Sequence, residues 1–200
     1  NNEMSWSMVK EVLADKNVFF AALGYMSMNY VFFIFYSWIF IYFVNIRGFD
    51  VLEGSLLASL PFLMGAIGAT LGGYLCDRLQ TSHGVIWGHR IPVIVGLVPS
   101  AGFLIFGSIT ENPYLAVLSL SLCYGFIELT EGPFWSAIGF VSKKPQAAGG
   151  ILNTGGNLGG VLATPLIPIL ANQFGWVIAL NSGVFFALLG VFSFMQIKFK

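Results

Sequence analysis

The chain has 200 residues, of which 56% are hydrophobic and only 9% are charged, and its nine basic and nine acidic side chains balance to a net charge of zero. So few polar residues cannot cover the surface of a water-soluble globule, and the composition predicts an all-α protein embedded in a lipid bilayer. The chain has no basic patch with interleaved aromatic residues, so a nucleic-acid partner is not expected.

The first part of the chain, residues 1–16, is amphipathic. In "SWSMVKEVLADKN", helical spacing places Trp6, Val9 and Leu13 on one side, and most of the charged residues lie elsewhere. This pattern is typical of a helix that lies along a membrane surface, and we expect it on the cytoplasmic side.

Residues 17–200 are predicted to form a bundle of six transmembrane helices. Each of six apolar segments has about the 20 residues that a spanning helix needs, and none alternates in polarity as a barrel strand does. The segments are 18–46, 55–75, 91–109, 115–141, 147–171 and 177–196.

The basic residues predict the orientation of this bundle. If successive connections alternate between the two sides of the membrane, only Arg47 lies on one side. By the positive-inside rule, both termini are then cytoplasmic, in a plasma membrane or a bacterial inner membrane. The eight basic residues on the other side are Lys10, Lys16, Arg78, Arg90, Lys143, Lys144, Lys198 and Lys200.

The first apolar segment carries an aromatic and polar stripe. Tyr25, Asn29, Phe32 and Tyr36 follow each other at spacings that place them on one helical face. Core packing alone would not require Asn29, so we interpret the stripe as the wall of a water-filled cavity.

A longer connection is predicted between the second and third segments. It opens with "GGYLCDRL" and closes with "GHR", and so it brings together Gly73, Asp77, Arg78 and Arg90. A carboxylate at the cytoplasmic end of a helical bundle can accept the positive end of a facing helix, and the arginines can pair with it or with lipid phosphate. These four residues are predicted to form a cytoplasmic latch, with anchoring to the membrane surface as the alternative for the arginines.

The histidines and cysteines do not have the spacing of metal ligands. We expect His83 and His89 to be solvated in the connection, and Cys76 and Cys123 to be packing thiols. No metal, cofactor or catalytic residue is predicted, because no catalytic grouping falls at membrane depth.

The fourth segment contains two carboxylates, Glu128 and Glu131, in "CYGFIELTEGPFW". They share a helical face with Tyr124 and Trp135, and each would cost roughly 2.5–3.5 kcal/mol to insert as an ion. We expect the pair to hold at least one proton and to couple transport to a proton gradient. Pro133 removes a helical hydrogen bond beside Glu131 and allows the helix to bend there, so of the two carboxylates we expect Glu131 to be the one whose environment changes. The alternative is that the glutamates only bond neighbouring helices.

The fifth segment repeats the polar stripe with Asn153, Asn157 and Thr164. Its glycines form small-xxx-small pairs, which allow close contact between helices, and we interpret them as packing residues. The pairs are Gly155 with Gly159 and Gly156 with Gly160.

The motif around Asp77 and Arg78 resembles the major facilitator superfamily signature G-x-x-x-D-R-x-G-R-R, although "QTSHGVIW" separates the closing "GHR" from the Asp-Arg pair. The stretches "SWSMVKEVLADKNVFF", "TEGPFW", "GGILNTGGNLGG" and "TPLIPILANQFGW" look like the anion:cation symporter family within it. The resemblance covers nearly the whole chain. It implies the C-terminal half of a twelve-helix transporter, with three-plus-three inverted repeats and an N-terminal six-helix half as its partner.

By the same resemblance, the substrate is a small organic anion, such as a sugar acid or carboxylate, that moves by alternating access together with a proton or another cation. A neutral-sugar or drug carrier remains an alternative, as does a self-contained six-helix channel or facilitator that dimerises. The resemblance and the polar stripes together predict six substrate-binding residues: Tyr25, Asn29, Tyr36, Trp135, Asn153 and Asn157.

Overall fold

The computed structural model describes residues 6–199, and it describes side chains from residue 10 onward. Predictions that fall on residues 1–5, on Lys200 or on the side chains of Trp6 and Val9 therefore lie outside the described residues. The helices are α1 (Trp6–Leu13), α2 (Lys16–Ile41) with a π-helical extension (Tyr42–Ile46), α3 (Val51–Ile109), α4 (Pro113–Glu128), α5 (Glu131–Val141), α6 (Pro145–Phe174) and α7 (Trp176–Met195).

The helices begin where the sequence has capping residues. Asp15, Asp50 and Asn112 each accept a hydrogen bond from the first turn of the helix that follows. Pro113 and Pro145 occupy the start of α4 and α6, where the missing N–H costs nothing. Local sequence therefore accounts for most of the helix starts.

Five helices are long and apolar enough to cross a membrane. The prediction of an all-helical membrane protein is confirmed at this level, and no strand occurs among residues 6–199. The candidate spans are Lys16–Ile46, Val51–Ile109, Pro113–Val141, Pro145–Phe174 and Trp176–Met195.

Helix α3 folds back on itself at Gly84. This residue has φ 77° and ψ 170°, a conformation that glycine adopts without a steric penalty. A Cβ on Gly88 would lie 2.7 Å from the Cα of Gln80, so the chain on either side of Gly84 is in contact. We call residues 51–83 and 85–109 the first and second arms. The expected long connection between the second and third segments is wrong, because helix continues up to Gly84 from both sides.

The first arm packs closely on α4 and α5 through glycines. A Cβ on Gly68 would overlap the carbonyl oxygen of Gly125, and one on Gly72 would overlap that of Leu129. Such backbone contacts bring many atoms within van der Waals range, which is the main attraction between helices in a membrane.

The glycines of α6 pack on α2 in the same way. A Cβ on Gly155 would lie 3.0 Å from the Cβ of Ala22, and one on Gly159 would overlap the carbonyl oxygen of Met26. Their interpretation as packing residues is confirmed.

The start of α2 and the described residues that follow α7 meet at one end of the bundle, which we call the termini end. There Arg90 donates to the carbonyl oxygens of Met195 and Ile197 at 2.9 and 3.1 Å, just beyond α7. The side-chain oxygen of Asn17 accepts from the backbone N–H of Lys198 at 2.9 Å. These bonds tie the chain after α7 to α2 and to the second arm.

Arg47 stabilises the opposite end. Its guanidinium donates to the carbonyl oxygens of Gly107, Ser108 and Thr110 at 2.6–3.1 Å, and its Nε donates to the hydroxyl of Tyr42 at 2.9 Å. A cation at the C-terminus of a helix satisfies carbonyl groups that lack helical partners and also offsets the helix dipole.

Arg47→Met is expected to lower the free energy of unfolding by about 2–3 kcal/mol, because three carbonyl groups lose charge-assisted hydrogen bonds. Thermal unfolding of the detergent-purified protein, followed by tryptophan fluorescence, measures the change. Lys143→Met removes a cation from an exposed position and is the control. Equal melting temperatures for the two variants would contradict the capping role of Arg47.

Candidate functional site

Tyr25, Glu131 and Trp135 form a hydrogen-bonded cluster between α2 and α5. The Tyr25 hydroxyl donates to Glu131 Oε1 at 2.8 Å, and Trp135 Nε1 donates to the same oxygen at 2.9 Å. Trp135 Nε1 also lies 3.1 Å from the Tyr25 hydroxyl oxygen. One carboxylate oxygen therefore holds two aromatic side chains in fixed positions.

Neighbouring helices enclose this cluster. Glu131 begins α5 and Trp135 follows one turn later, so both side chains project toward α2. Gly156 of α6 completes the enclosure, because a Cβ there would lie 2.6 Å from the Tyr25 ring. Tyr25 is only 6% exposed, whereas Trp135 is 41% exposed and presents its ring outside the bundle.

Glu128 has different surroundings from Glu131. It ends α4 beside the first arm, where a Cβ on Gly65 would lie 3.0 Å from Glu128 Cγ. Its Oε1 is shielded from solvent, and no described residue donates a hydrogen bond to it. The two carboxylates thus contact different helices, although one helical stripe contains both in the sequence.

A break between α4 and α5 separates the two carboxylates. Leu129 and Thr130 leave the regular helix, and Pro133 cannot supply the N–H that the Leu129 carbonyl would otherwise accept. That carbonyl oxygen instead contacts Gly72. The Thr130 hydroxyl donates to the carbonyl oxygen of Ile127 at 2.7 Å. The interruption therefore follows from Pro133, as expected.

An open cavity of about 510 Å³ lies between α5 and α6. Its polar lining comes from Trp135, Ser136, Gln146 and Asn153, of which Ser136 and Gln146 were not among the predicted site residues. Of the predicted substrate-binding residues, the structure therefore places Trp135 and Asn153 in one cavity.

The other predicted substrate-binding residues lie on the helices beside this cavity. Asn29 donates to the Tyr25 carbonyl at 2.9 Å, and Asn157 donates to the Asn153 carbonyl at 2.9 Å, so both amides partly serve their own helices. Tyr36 is 66% exposed and stacks on Phe32 with 6.0 Å between the ring centroids. The polar stripe of α2 is thus partly an aromatic surface.

The predicted latch residues are divided between two places. Gly73 contacts Gly132 at the start of α5, and Asp77 and Arg78 are exposed near the end of the first arm. Arg78 lies 3.3 Å from the Tyr74 hydroxyl oxygen, and Arg90 bonds the chain after α7. No hydrogen bond or ion pair within residues 10–199 joins Asp77 to either arginine.

His89 is completely buried, so the prediction that it is solvated is wrong. Its Nδ1 lies 2.7 Å from the Val85 carbonyl oxygen, and its Nε2 lies 3.0 Å from the Ser136 hydroxyl. The Phe199 ring stacks on it with 5.1 Å between centroids. The error arose because "GHR" was assigned to a loop, whereas it lies within the second arm. His83 is exposed, as predicted.

The site has no described basic side chain. Within residues 10–199, lysines and arginines lie near helix ends and turns, as Arg47 and Lys144 do, and Lys144 pairs with Glu11 beside α1. Cys76 and Cys123 are buried free thiols. No group of three or more potential metal ligands occurs in the described part of the chain. The charge of the site is therefore that of its two carboxylates.

A bundle of membrane-length helices, with a partly polar cavity beside a hydrogen-bonded carboxylate, is typical of a membrane transport protein rather than an enzyme. The family comparison agrees, because the model of the Major Facilitator Superfamily matches residues 3–149. The chain belongs to the Major Facilitator Superfamily.

Relatives with curated names are transporters of acids. A probable galactarate/D-glucarate transporter of Bacillus subtilis is 27% identical over 86% of this chain and 38% of its own length. A probable sulfoacetate transporter of Cupriavidus necator is 33% identical over 71% of this chain and 34% of its own length. A hexuronate transporter of Bacillus subtilis is 27% identical over 82% of this chain and 40% of its own length. The chain thus spans less than half the length of these relatives.

Proposed function

We propose that this chain is the C-terminal half of a secondary transporter that moves a small organic anion, such as a sugar acid or carboxylate, together with a proton. The observation that carries the proposal is the hydrogen-bonded cluster of Tyr25, Glu131 and Trp135, of which Trp135 lines the cavity between α5 and α6. A carboxylate that accepts hydrogen bonds and aromatic side chains that donate them suit a polyhydroxylated substrate. The names of the relatives support the proposal that the substrate is an acid.

The proposed substrate contacts are Tyr25, Asn29, Tyr36, Trp135, Asn153 and Asn157. Since no described basic side chain lies among them, the negative charge of the substrate is expected to bind to the N-terminal half. Glu128 and Glu131 are proposed to couple transport of the substrate to transport of the proton. Carboxyl groups inside a membrane bundle cost free energy, so they are rare there except where they serve a function.

The proposed architecture has six membrane spans in three-plus-three inverted repeats, with the two arms of α3 counted as separate spans. A single straight helix of 59 residues would be about 90 Å long, roughly three times the thickness of the hydrocarbon core. The termini end is then the cytoplasmic end, as the basic residues predict. Gly73, Asp77, Arg78 and Arg90 are proposed to form a latch there with the other half.

The second candidate is a carrier of neutral sugars or drugs. The lack of a described basic side chain at the cavity wall favours it, because a neutral substrate needs no counter-charge. A self-contained bundle that dimerises is the third possibility, and the mass of the natural gene product distinguishes it from a half-transporter.

Uptake by the purified natural gene product in liposomes tests these alternatives. The labelled probes are D-glucarate, D-glucuronate, sulfoacetate and D-glucose, each measured with and without an inward proton gradient. We expect one of the three acids to accumulate above its external concentration only when the gradient is present. Accumulation of glucose alone would favour the neutral-sugar carrier, and uptake that does not respond to the gradient would refute proton symport.

A further inference from the structure

The two glutamates differ in how well the fold satisfies them as ions. Glu131 accepts hydrogen bonds from the Tyr25 hydroxyl and from Trp135 Nε1. Glu128 receives no hydrogen bond from any described residue, and its Oε1 is shielded from solvent. The two carboxyl groups therefore lie in opposite environments, one with hydrogen-bond donors and one without.

The surroundings of Glu128 offer no counter-ion. The first arm presents Gly65, and the titratable groups that face Glu128 are Tyr124 on its own helix and Glu131 beyond the break. From α2, the hydroxyl of Tyr25 is bonded to Glu131. No lysine, arginine or histidine of the described chain faces the carboxyl group of Glu128.

An ionised carboxylate in such a place is strongly unfavourable. Glu128 is half-buried as a whole, but a negative charge on a carboxyl group whose shielded oxygen has neither a donor nor a counter-ion costs free energy, and binding a proton removes that cost. The neighbouring negative charge of Glu131 adds repulsion, which disappears when Glu128 becomes neutral. Of the two carboxyl groups, Glu128 therefore gains far more from binding a proton.

We propose that Glu128 is the group that binds the transported proton, and that Glu131 is a positioning residue that holds Tyr25 and Trp135 in place. This inference rests on the proposed symport. It reverses the expectation from Pro133, which drew attention to Glu131 as the residue whose environment changes.

In this scheme Glu128 takes up one proton from one side of the membrane and releases it to the other side. Glu128 takes it from water in a cavity that is open to one side of the membrane and becomes a neutral carboxylic acid. When the cavity opens to the other side, water reaches the same oxygen atoms and the proton leaves. The break at Leu129 and Thr130 directly follows Glu128, so movement of α5 relative to α4 would change the access of water to it.

Infrared difference spectroscopy of the purified natural gene product tests the site of protonation without any substrate. As the pH is changed, we expect the carbonyl stretch of a protonated carboxylic acid to titrate in the wild type. This band should be lost in Glu128→Gln and kept in Glu131→Gln. Glu128→Asp keeps a carboxyl group and should restore a titrating band, which separates loss of the proton site from misfolding.

The opposite pattern, with the band kept in Glu128→Gln and lost in Glu131→Gln, would overturn the proposal. So would a titrating band that is unchanged in both variants. The melting temperature of each variant is measured in parallel, so that an unfolded sample is recognised.

Transport measurements separate this inference from the proposed function. With the probe acid that the wild type accumulates, Glu128→Gln should reduce the gradient-driven accumulation by a factor of at least about ten. The same variant should keep counterflow exchange, because exchange needs no net movement of protons. Glu131→Gln should weaken exchange itself. If Glu128→Gln accumulates the probe like the wild type, the inference is wrong while symport stands. If the wild type shows no gradient-driven uptake, symport fails, and with it the transport role of Glu128.

Discussion

Gly72→Leu is expected to prevent the first arm from packing on the joint between α4 and α5. Even a Cβ at this position would overlap the carbonyl oxygen of Leu129, and the overlap is with backbone rather than with a side chain that can rotate away. The backbones would have to separate, which would remove the neighbouring contact between Gly68 and Gly125 as well. We expect a loss of more than about 4 kcal/mol in the free energy of unfolding, which exceeds the roughly 1–3 kcal/mol of ordinary overpacking because the overlap is with backbone.

Size-exclusion chromatography and thermal unfolding of the purified protein measure this effect. Gly102→Leu is the matched control, because Gly102 lies on the second arm of the same helix and a Cβ there meets nothing within 4 Å. We expect the control to elute and melt like the wild type, and Gly72→Leu to aggregate or to melt far below it. Similar melting temperatures for the two variants would contradict the close contact between Gly72 and Leu129.

Tyr25→Phe is expected to weaken substrate affinity by roughly 10-fold to 100-fold. The change removes one hydroxyl group. With it the 2.8 Å hydrogen bond to Glu131 Oε1 is lost, as is the oxygen atom that lies 3.1 Å from Trp135 Nε1. A hydrogen bond to a charged group in a partly buried site contributes about 1.5–3 kcal/mol, which corresponds to this range in a binding constant. The ring contact with Phe134, at 5.5 Å between centroids, does not involve the hydroxyl and should persist.

Counterflow exchange of the transported acid in liposomes gives the apparent affinity of each variant. Tyr114→Phe removes the same kind of bond, from a tyrosine hydroxyl to Glu53 Oε1 at 2.8 Å, but at an exposed position near the start of α4. It should leave exchange unchanged. If both variants exchange like the wild type, the cluster of Tyr25, Glu131 and Trp135 does not contribute to substrate binding.

Several features of the fold could be predicted from local sequence because their causes are local. Apolar length sets where a helix can cross a membrane, and Asp50 or Asn112 caps a helix by bonding its own first turn. The glycines of α6 also revealed their role, since only small residues permit two helices to approach closely. The reversal at Gly84 was missed, because a sharp turn at one glycine does not require the cluster of polar residues that suggested a longer loop.

The site was predictable only in part. Periodicity correctly placed Trp135 and Asn153 on surfaces that line a cavity, because spacing along a helix determines which side chains share a face. It did not indicate that Glu128 and Glu131 contact different helices, since spacing carries no information on which neighbour packs against each face. The burial of His89 against Phe199 was missed for a different reason, because "GHR" was assigned to a loop and not to the second arm.

By itself, the sequence determined that this protein is a helical membrane protein, where most of its helices begin and which of its residues are polar within the membrane. Only the tertiary structure decided which of those polar residues have partners. Tyr25 and Glu131 are 106 positions apart, so the bond that satisfies one carboxylate exists only after α2 and α5 have packed together. The same packing leaves Glu128 beside Gly65, where no described residue donates a hydrogen bond to it.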